Sequence, residues 1–269
     1  MSLVKEITSN HNETYKHLKL LATSAKQRRR HGQTLLEGVH LCESYLQHIG
    51  RPLMHVFTQS AADSPEVARL IEESESLSSV GVLLGEAKFK LLSSVENGIG
   101  IMFVVKTPSS RPPAVLQESA LLMENIQDPG NMGAILRTAA AAGIKHVFVS
   151  RGSVSAWSPK VLRAGMGAHF AMSIYENCDL SSLIKSAQVP VLATSLGASE
   201  SIYQKDLSGP SAWLVGNEGQ GVSDELMTLG VEAVIIPQNP DVESLNVAAA
   251  TAICLFEQVR QRSLRGEHN

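Results

Sequence analysis

Aromatic residues are scarce in this chain: Phe, Trp and Tyr together make up 4% of 269 residues. Serial stacking of bases on exposed rings is therefore excluded as a main binding mode. Cysteine is scarcer still. Cys42, Cys178 and Cys254 are odd in number and far apart, which fits reduced core thiols of a cytoplasmic protein and not a disulfide framework or a zinc cluster. Nine histidines make no HExxH or other paired metal spacing, so no metal is expected. Positive charge is not in excess. The formal net charge is −3, so any nucleic-acid surface must be a local patch. No apolar run reaches membrane-spanning length, and "MSLVKEITSNHN" has no signal-peptide core, so no membrane partner is expected.

What is present suits two modest α/β domains. An apolar fraction of 43% supports a real core. The boundary falls in "VKTPSSRPPAVLQES", residues 105–119, with three prolines and three serines. Domains are expected at 1–106 and 118–269, joined by a linker at 107–117. In the first half "YKHLKLLATSAKQRRR" reads as one amphipathic helix ending in cations, and "GVHLCESYLQHIG" as a second helix. The strand "RPLMHVFT" follows, then a helix at 65–73, a strand near 79–84, a helix near 86–93 and the strand "GIGIMFVV". The second half alternates strands ("SALLMENI", "HVFVS", "VPVLATS", "SAWLVG", "EAVIIP") with helices starting near Met132, Pro159, Leu180, Ser223 and Ser244. Such βαβ alternation predicts a mainly parallel sheet, with ligands beyond the carboxyl ends of its strands.

Three loops after strands carry the chemistry. In "ENIQDPGNMGAILRTAAAAG", residues 124–143, an Asp-Pro-Gly-Asn turn opens a helix. One face of that helix is Gly133, Ala134, Ala140 and Ala141 around the single cation Arg137. Small residues there predict close packing of a second surface. The arginine either reaches a site or satisfies a structural partner. In "LVGNEGQGVSDEL", residues 214–226, three glycines within 216–221 look like a phosphate loop. But Val222 stands where the lysine belongs, and Glu218 adds negative charge. A carboxylate there favours a cation, an amine or a hydroxyl over a phosphate; a plain surface turn is the alternative. In "IIPQNPDVESLNVAAATAICLFEQVRQR", residues 235–262, a polar loop leads into a long helix that is apolar nearly all round from Leu245 to Phe256, with Ser244 as its N-cap or as a ligand group.

In this order and spacing, "DPGNMGAILRTA", "LVGNEGQG" and "IIPQNPDVESLNVAAATAICLFE" resemble the three motifs of the SpoU-type (TrmH-like) RNA ribose 2′-O-methyltransferases of the SPOUT class. The resemblance spans the second half and extends weakly through the first. There "ITSNHNETYKHLKLLATSAKQRRRHGQTLLEGVHL" looks like the amino-terminal L30e-like RNA-binding domain of the ribosomal-RNA members. It implies a carboxy-terminal trefoil knot, a homodimer with the cofactor site at its interface, and S-adenosylmethionine as cofactor. Backbone around Gly216, Ile236 and Leu245 would hold that cofactor with Thr194 and Leu196 nearby, and Asn217, Gly219 and Gln238 belong to the same loops. The family's catalytic residues fall on Asn131, Arg137, Glu218, Ser244 and Asn246. A guanidinium with a pKa above about 12 is a poor proton acceptor. Arg137 is therefore expected to bind a phosphate or the developing alkoxide, with Ser244 relaying the proton.

For RNA the expected contacts are Lys26, Arg28, Arg29 and Arg30 of "KQRRR", with Lys160 and Arg163 of "SPKVLRAGMGAHF". In that last segment Gly165 replaces a common family serine. A fragment starting near Val115 is expected to fold and bind cofactor alone. Ribosomal RNA is the expected substrate. Transfer RNA, a non-catalytic RNA-binding protein keeping the fold, and a nucleotide hydrolase using "GNEGQGVS" are the competing readings, and the missing lysine speaks against the last.

Overall fold

The computed structural model describes residues 4–96, 98–108, 111–241 and 243–266. In chain order the first half holds β1 (Lys5–Ile7), α1 (Glu13–Thr23), α2 (Ala25–His31), β2 (Gln33–Glu37), α3 (Val39–His48), β3 (Met54–Phe57), α4 (Gln59–Ala62), α5 (Pro65–Ser76), β4 (Val80–Leu84), α6 (Glu86–Lys90) and β5 (Ile101–Lys106). The second holds β6 (Ala120–Met123), α7 (Pro129–Ala141), β7 (His146–Ser150), α8 (Pro159–Gly165), β8 (Ser173–Cys178), α9 (Leu180–Lys185), β9 (Val191–Thr194), β10 (Ala212–Val215), α10 (Asp224–Met227), β11 (Glu232–Val234) and α11 (Val247–Leu264).

The chain divides into two compact units. The first is Met1–Ser109 with Trp157–Phe170, and the second is Ser110–Ala156 with Ala171–Asn269. The expected block 118–269 is thus interrupted, because α8 and its flanks belong to the first unit. The cause is apolar: Val161, Leu162 and Trp157 are buried, and Thr34 of β2 donates its hydroxyl to the Trp157 carbonyl at 2.7 Å. Of the expected linker, residues 109 and 110 lie outside the described residues, while Leu116 is already buried in the core of the second unit.

The first unit is built on a mixed sheet in the order β1-β4-β3-β5-β2, antiparallel only at the β3–β5 and β5–β2 pairs. Leu18 and Leu21 of α1 pack into its core with Ile7, Leu35, Val56 and Val82. The single helix expected over residues 15–30 is two. Ser24 leaves helical geometry and its hydroxyl accepts the Gln27 N–H at 3.3 Å, so it ends α1 and caps α2. β1 and β2 were not expected. The first has three residues, and the second lies between a cationic helix and a glycine with little alternation to mark it.

The second unit has a six-stranded sheet in the order β11-β9-β10-β6-β7-β8, parallel at every pairing. The five expected strands are present. β8 was not expected: "SIYENC" is polar in part, and its register on β7 slips between Phe148 and Ser150, near Asn177 at φ 60°. Leu122, Phe148, Ala193 and Leu214 fill the core, each fully buried large side chain contributing about 1.5–3 kcal/mol. α11 packs along α7 and on β10, where buried Trp213 donates its indole N–H to Gln258 at 3.2 Å. The carboxyl ends of β6, β9, β10 and β11 bring the three motif loops together.

Candidate active site

The helix carrying the first motif begins earlier than its periodicity indicated. Pro129 stands at its first position, and Asp128 caps it by accepting the Asn131 N–H at 2.8 Å. The cap of α11 is likewise Asn246 and not Ser244: its Oδ1 accepts the N–H groups of Ala248 and Ala249 at 2.9 and 3.4 Å. Ser244 lies two residues before the cap, exposed on the polar loop.

The glycine loop closes on itself. Asn217 and Gly221 exchange backbone hydrogen bonds at 2.9 and 2.8 Å, with Gly221 at φ +71°. Inside this turn Asn217 Oδ1 accepts from the Gly219 and Gln220 N–H groups at 3.0 and 3.2 Å, and its Nδ2 donates to the Asn125 carbonyl at 2.9 Å. A Cβ on Gly216 would collide with the backbone of Gly221 and Val222, so only glycine lets the loop fold back here.

Glu218 is oriented differently from the sequence reading, which gave its charge to a cationic ligand. Its Oε1 accepts the Asp128 N–H at 3.0 Å and the Asn131 amide at 3.2 Å; its Oε2 accepts the Gln127 N–H at 3.2 Å. Partial burial pushes its pKa up, but these donors, the Asp128 N–H foremost, outweigh it and hold the carboxyl below its ordinary value. The acid therefore ties the glycine loop to the start of α7, where unpaired N–H groups and the helix dipole favour a negative charge. Asn246 Nδ2 in turn donates to Asn131 Oδ1 at 3.0 Å. Asn246, Asn131 and Glu218 are thus one hydrogen-bonded chain linking all three loops.

Beside it lies a cavity of about 480 Å³. Every expected cofactor residue lines it: Thr194, Leu196, Gly216, Asn217, Gly219, Ile236, Gln238 and Leu245, with Glu218 and Ser244. Val215, Ile235, Met227 and Ala250 supply an apolar part of the wall. The sequence reading missed Asp224 and Glu243, two further carboxylates of the lining. Their signal was their position, Asp224 at the first residue of α10 just after the glycine loop and Glu243 directly before Ser244. No lysine, arginine or histidine is among the described lining residues. A cleft of this size, lined by acids and backbone, suits a ligand with an amine and a sulfonium and disfavours a triphosphate.

Arg137 and Asn131 do not line the cavity. Arg137 is exposed on α7, and no hydrogen bond or ion pair to it occurs among the described residues. The expected RNA contacts split. Lys26, Arg29, Arg30 and Lys160 are exposed. Arg163 is exposed but donates to the Ser94 carbonyl at 3.3 Å. Arg28 is a correction: it is buried, and its Nη1 donates to the Leu21 carbonyl at 2.8 Å, so it locks α2 onto the end of α1 and is not presented to RNA. Gly165 is buried at the end of α8, before Met166 in left-handed geometry. The three cysteines are free and buried. No group of metal-ligating side chains occurs among the described residues, nor is any helix long and apolar enough to cross a membrane.

A parallel sheet with a lysine-free, acid-lined cleft at its carboxyl edge defines a binding protein for a cationic or neutral small ligand. Residues 118–256 match the SpoU rRNA Methylase family, and the chain belongs to that family. It is 34% identical over 263 residues to an uncharacterized tRNA/rRNA methyltransferase of Synechocystis, covering 96% of this chain and 95% of the relative. It is 29% identical over 242 residues to a 23S rRNA (guanosine-2′-O-)-methyltransferase of Pseudomonas syringae pv. tomato, covering 85% and 96%. Among solved structures, the AdoMet-bound rRNA methyltransferase of Sinorhizobium meliloti superposes with a TM-score of 0.79 at 26% identity, covering 96% and 98%. A crystallised RNA 2′-O ribose methyltransferase also gives 0.79, at 29% identity, covering 96% and 100%.

Proposed function

We propose that the chain transfers the methyl group of S-adenosylmethionine to a ribose 2′-hydroxyl of ribosomal RNA. The observation that carries this reading is the acid-lined cavity joined to the Asn246–Asn131–Glu218 chain. The relatives named for 2′-O-methylation of RNA, and the neighbour that binds AdoMet, support it. When bound, the cofactor supplies a methyl group on a cationic sulfur. The protein's part is to hold the hydroxyl in line, exclude water and take up its proton as charge develops. Asn131, Asn246 and Glu218 hold the three loops in fixed relation. In this reading the Arg137 guanidinium offers a planar fork to an adjacent phosphate or the developing alkoxide, and Ser244, a residue of the cavity lining, passes the proton on.

The same reading extends to assembly. Phe256 and Ala249 of α11 and Ala141 of α7 are apolar yet exposed, on two helices that pack together. We take this face as the seat of a homodimer, with Arg137 beside the partner. A carboxy-terminal trefoil knot fits the connectivity: β11 is the outer edge beyond β9, yet α11 returns to β10 and binds the Gly209 carbonyl through Gln258. Free, buried cysteines suit a cytoplasmic protein.

The test is methyl transfer from labelled cofactor to purified ribosomal RNA and transfer RNA, with the modified ribose mapped. Arg137→Ala should lower turnover by about two orders of magnitude and leave cofactor affinity near wild type. Labelling of transfer RNA alone would move the substrate assignment. Binding of RNA without cofactor binding would make the chain a non-catalytic RNA-binding protein.

A further inference from the structure

Glu124 belongs to none of the expected cofactor or catalytic positions, yet it grips both ends of the glycine loop. It follows the last residue of β6. Its N–H donates to the Val215 carbonyl at 2.8 Å, extending the β6–β10 ladder to the residue just before Gly216. Its carboxylate spans to the other end: Oε2 accepts the Ser223 N–H at 2.8 Å, and Oε1 accepts the Ser223 hydroxyl at 2.6 Å. Ser223 is also the N-cap of α10, accepting the Leu226 N–H at 3.4 Å. Residues 216–222, all of which line the cavity, are therefore tied at entry and exit to one side chain and its own backbone.

This clamp is separate from the one made by Glu218. Glu218 holds the middle of the loop to the start of α7, whereas Glu124 fixes the distance between its ends. A segment with three glycines in six residues samples many backbone states when untethered. Closing its ends on a rigid strand removes most of them before any ligand arrives, which is how pre-organisation raises affinity. A carboxylate suits the task, because it accepts twice and both bonds are charge-assisted. A glutamine accepts through one neutral oxygen only and must donate with its other arm.

We propose that Glu124 is a positioning residue for the cofactor: it pre-forms the glycine loop through Ser223 and thereby sets cofactor affinity. The inference rests on the methyltransferase reading, and the measurement separates the two. Calorimetry with S-adenosylhomocysteine on the full-length wild-type chain tests the reading itself, since absence of binding there sinks the reading before Glu124 is at issue. Given wild-type binding, Glu124→Ala should weaken S-adenosylhomocysteine about tenfold or more and raise KM for the cofactor in parallel. KM for RNA and the saturated kcat should change far less. Glu124→Gln should lie between the two, and Ser223→Ala should weaken binding less than Glu124→Ala because the Ser223 N–H bond remains. In the double variant the effects should fall short of additive, as expected of directly bonded partners. Wild-type cofactor affinity in Glu124→Ala would overturn the proposal. So would a uniform loss in melting temperature, kcat and both KM values, which marks a residue that only holds the fold. If Glu124→Ala does not fold, Glu124→Gln and Ser223→Ala carry the same test, and unchanged affinity in both overturns it.

Discussion

Asn131→Asp changes one atom's chemistry and tests the loop-linking chain at its centre. Asn246 Oδ1 is committed to two N–H groups of α11, so its Nδ2 faces Asn131. Asn131 must then accept with Oδ1 and donate with Nδ2 to Glu218, at 3.2 Å. With a carboxylate at position 131 the bond from Asn246 survives, but the bond to Glu218 becomes a carboxylate pair. Two unit charges at that separation repel by about 1 kcal/mol at the dielectric of water and about 5 kcal/mol at an effective value of 20. Glu218 is exposed and Asn131 is half-buried, so the repulsion lies towards the low end of that range. Losing a donor to an ionised oxygen adds about 1.5–3 kcal/mol. Against this, an acid in the first turn of α7 gains about 0.3–1 kcal/mol from the helix dipole. Repulsion wins by about 2–4 kcal/mol, so methyl transfer at pH 8 should fall by about 30-fold or more.

The pH dependence gives the decisive signature. Two acids sharing a site take up a proton more readily than either alone, so the substituted enzyme should recover as pH falls from 8 towards about 5.5. In the wild type Glu218 is held below its ordinary value of 4.5. Its contribution to stability is complete above that value and is lost only as pH drops through the lower folded one. The ratio of wild-type to variant rate should therefore shrink across pH 8 to about 5.5. A constant ratio, or near-normal turnover at pH 8, would refute the assigned polarity of the chain.

Gly216→Ala should weaken binding of S-adenosylhomocysteine by about tenfold or more, because the added methyl meets backbone of Gly221 and Val222 and the loop must open; thermal-shift titration measures it, and unchanged affinity would show the loop to be mobile. Arg28→Ala should lower the melting temperature of the first unit, since its guanidinium is buried on the Leu21 carbonyl, whereas Arg29→Ala and Arg30→Ala together should leave melting alone and flatten the salt dependence of RNA binding. His55 is fully buried on β3 and desolvation pushes its pKa down to about 4 from 6.5. The unfolded chain takes up a proton first as pH falls from 6.5 towards 4, so stability there should drop by about 1.4 kcal/mol per pH unit. Denaturant unfolding of His55→Gln should lose that slope, and an unchanged slope would assign the acid sensitivity elsewhere.

The second unit was readable because its strands are short apolar runs bounded by turns, and because three motif loops fix the carboxyl edge of the sheet. β8 escaped because it is an edge strand with Glu176 and Asn177 in its middle and a slipped register. The lining of the cavity was legible through its glycines and the Ser244–Asn246 turn. The direction of the Glu218 carboxylate was not, since composition shows that an acid is present but not that backbone N–H groups of a distant loop will claim it. Arg28 was misread for a related reason. In "KQRRR" one arginine in three faces inward, and only the break at Ser24 determines which.

The excursion of residues 157–170 into the first unit makes the protein resistant to dissection. The chain passes between its two units at 109–110, 156–157 and 170–171, so no single cut releases either one whole. A fragment starting near Val115 keeps "WSPKVLRAGMGAHF" but loses the β2 and α3 surface that covers it, leaving Trp157, Val161 and Leu162 in water. Such a piece should associate or precipitate unless that segment is replaced by a short polar turn. The two units were therefore not joined as beads on a string, and anyone exchanging the amino-terminal unit for that of a relative must carry this second, distant stretch along with it.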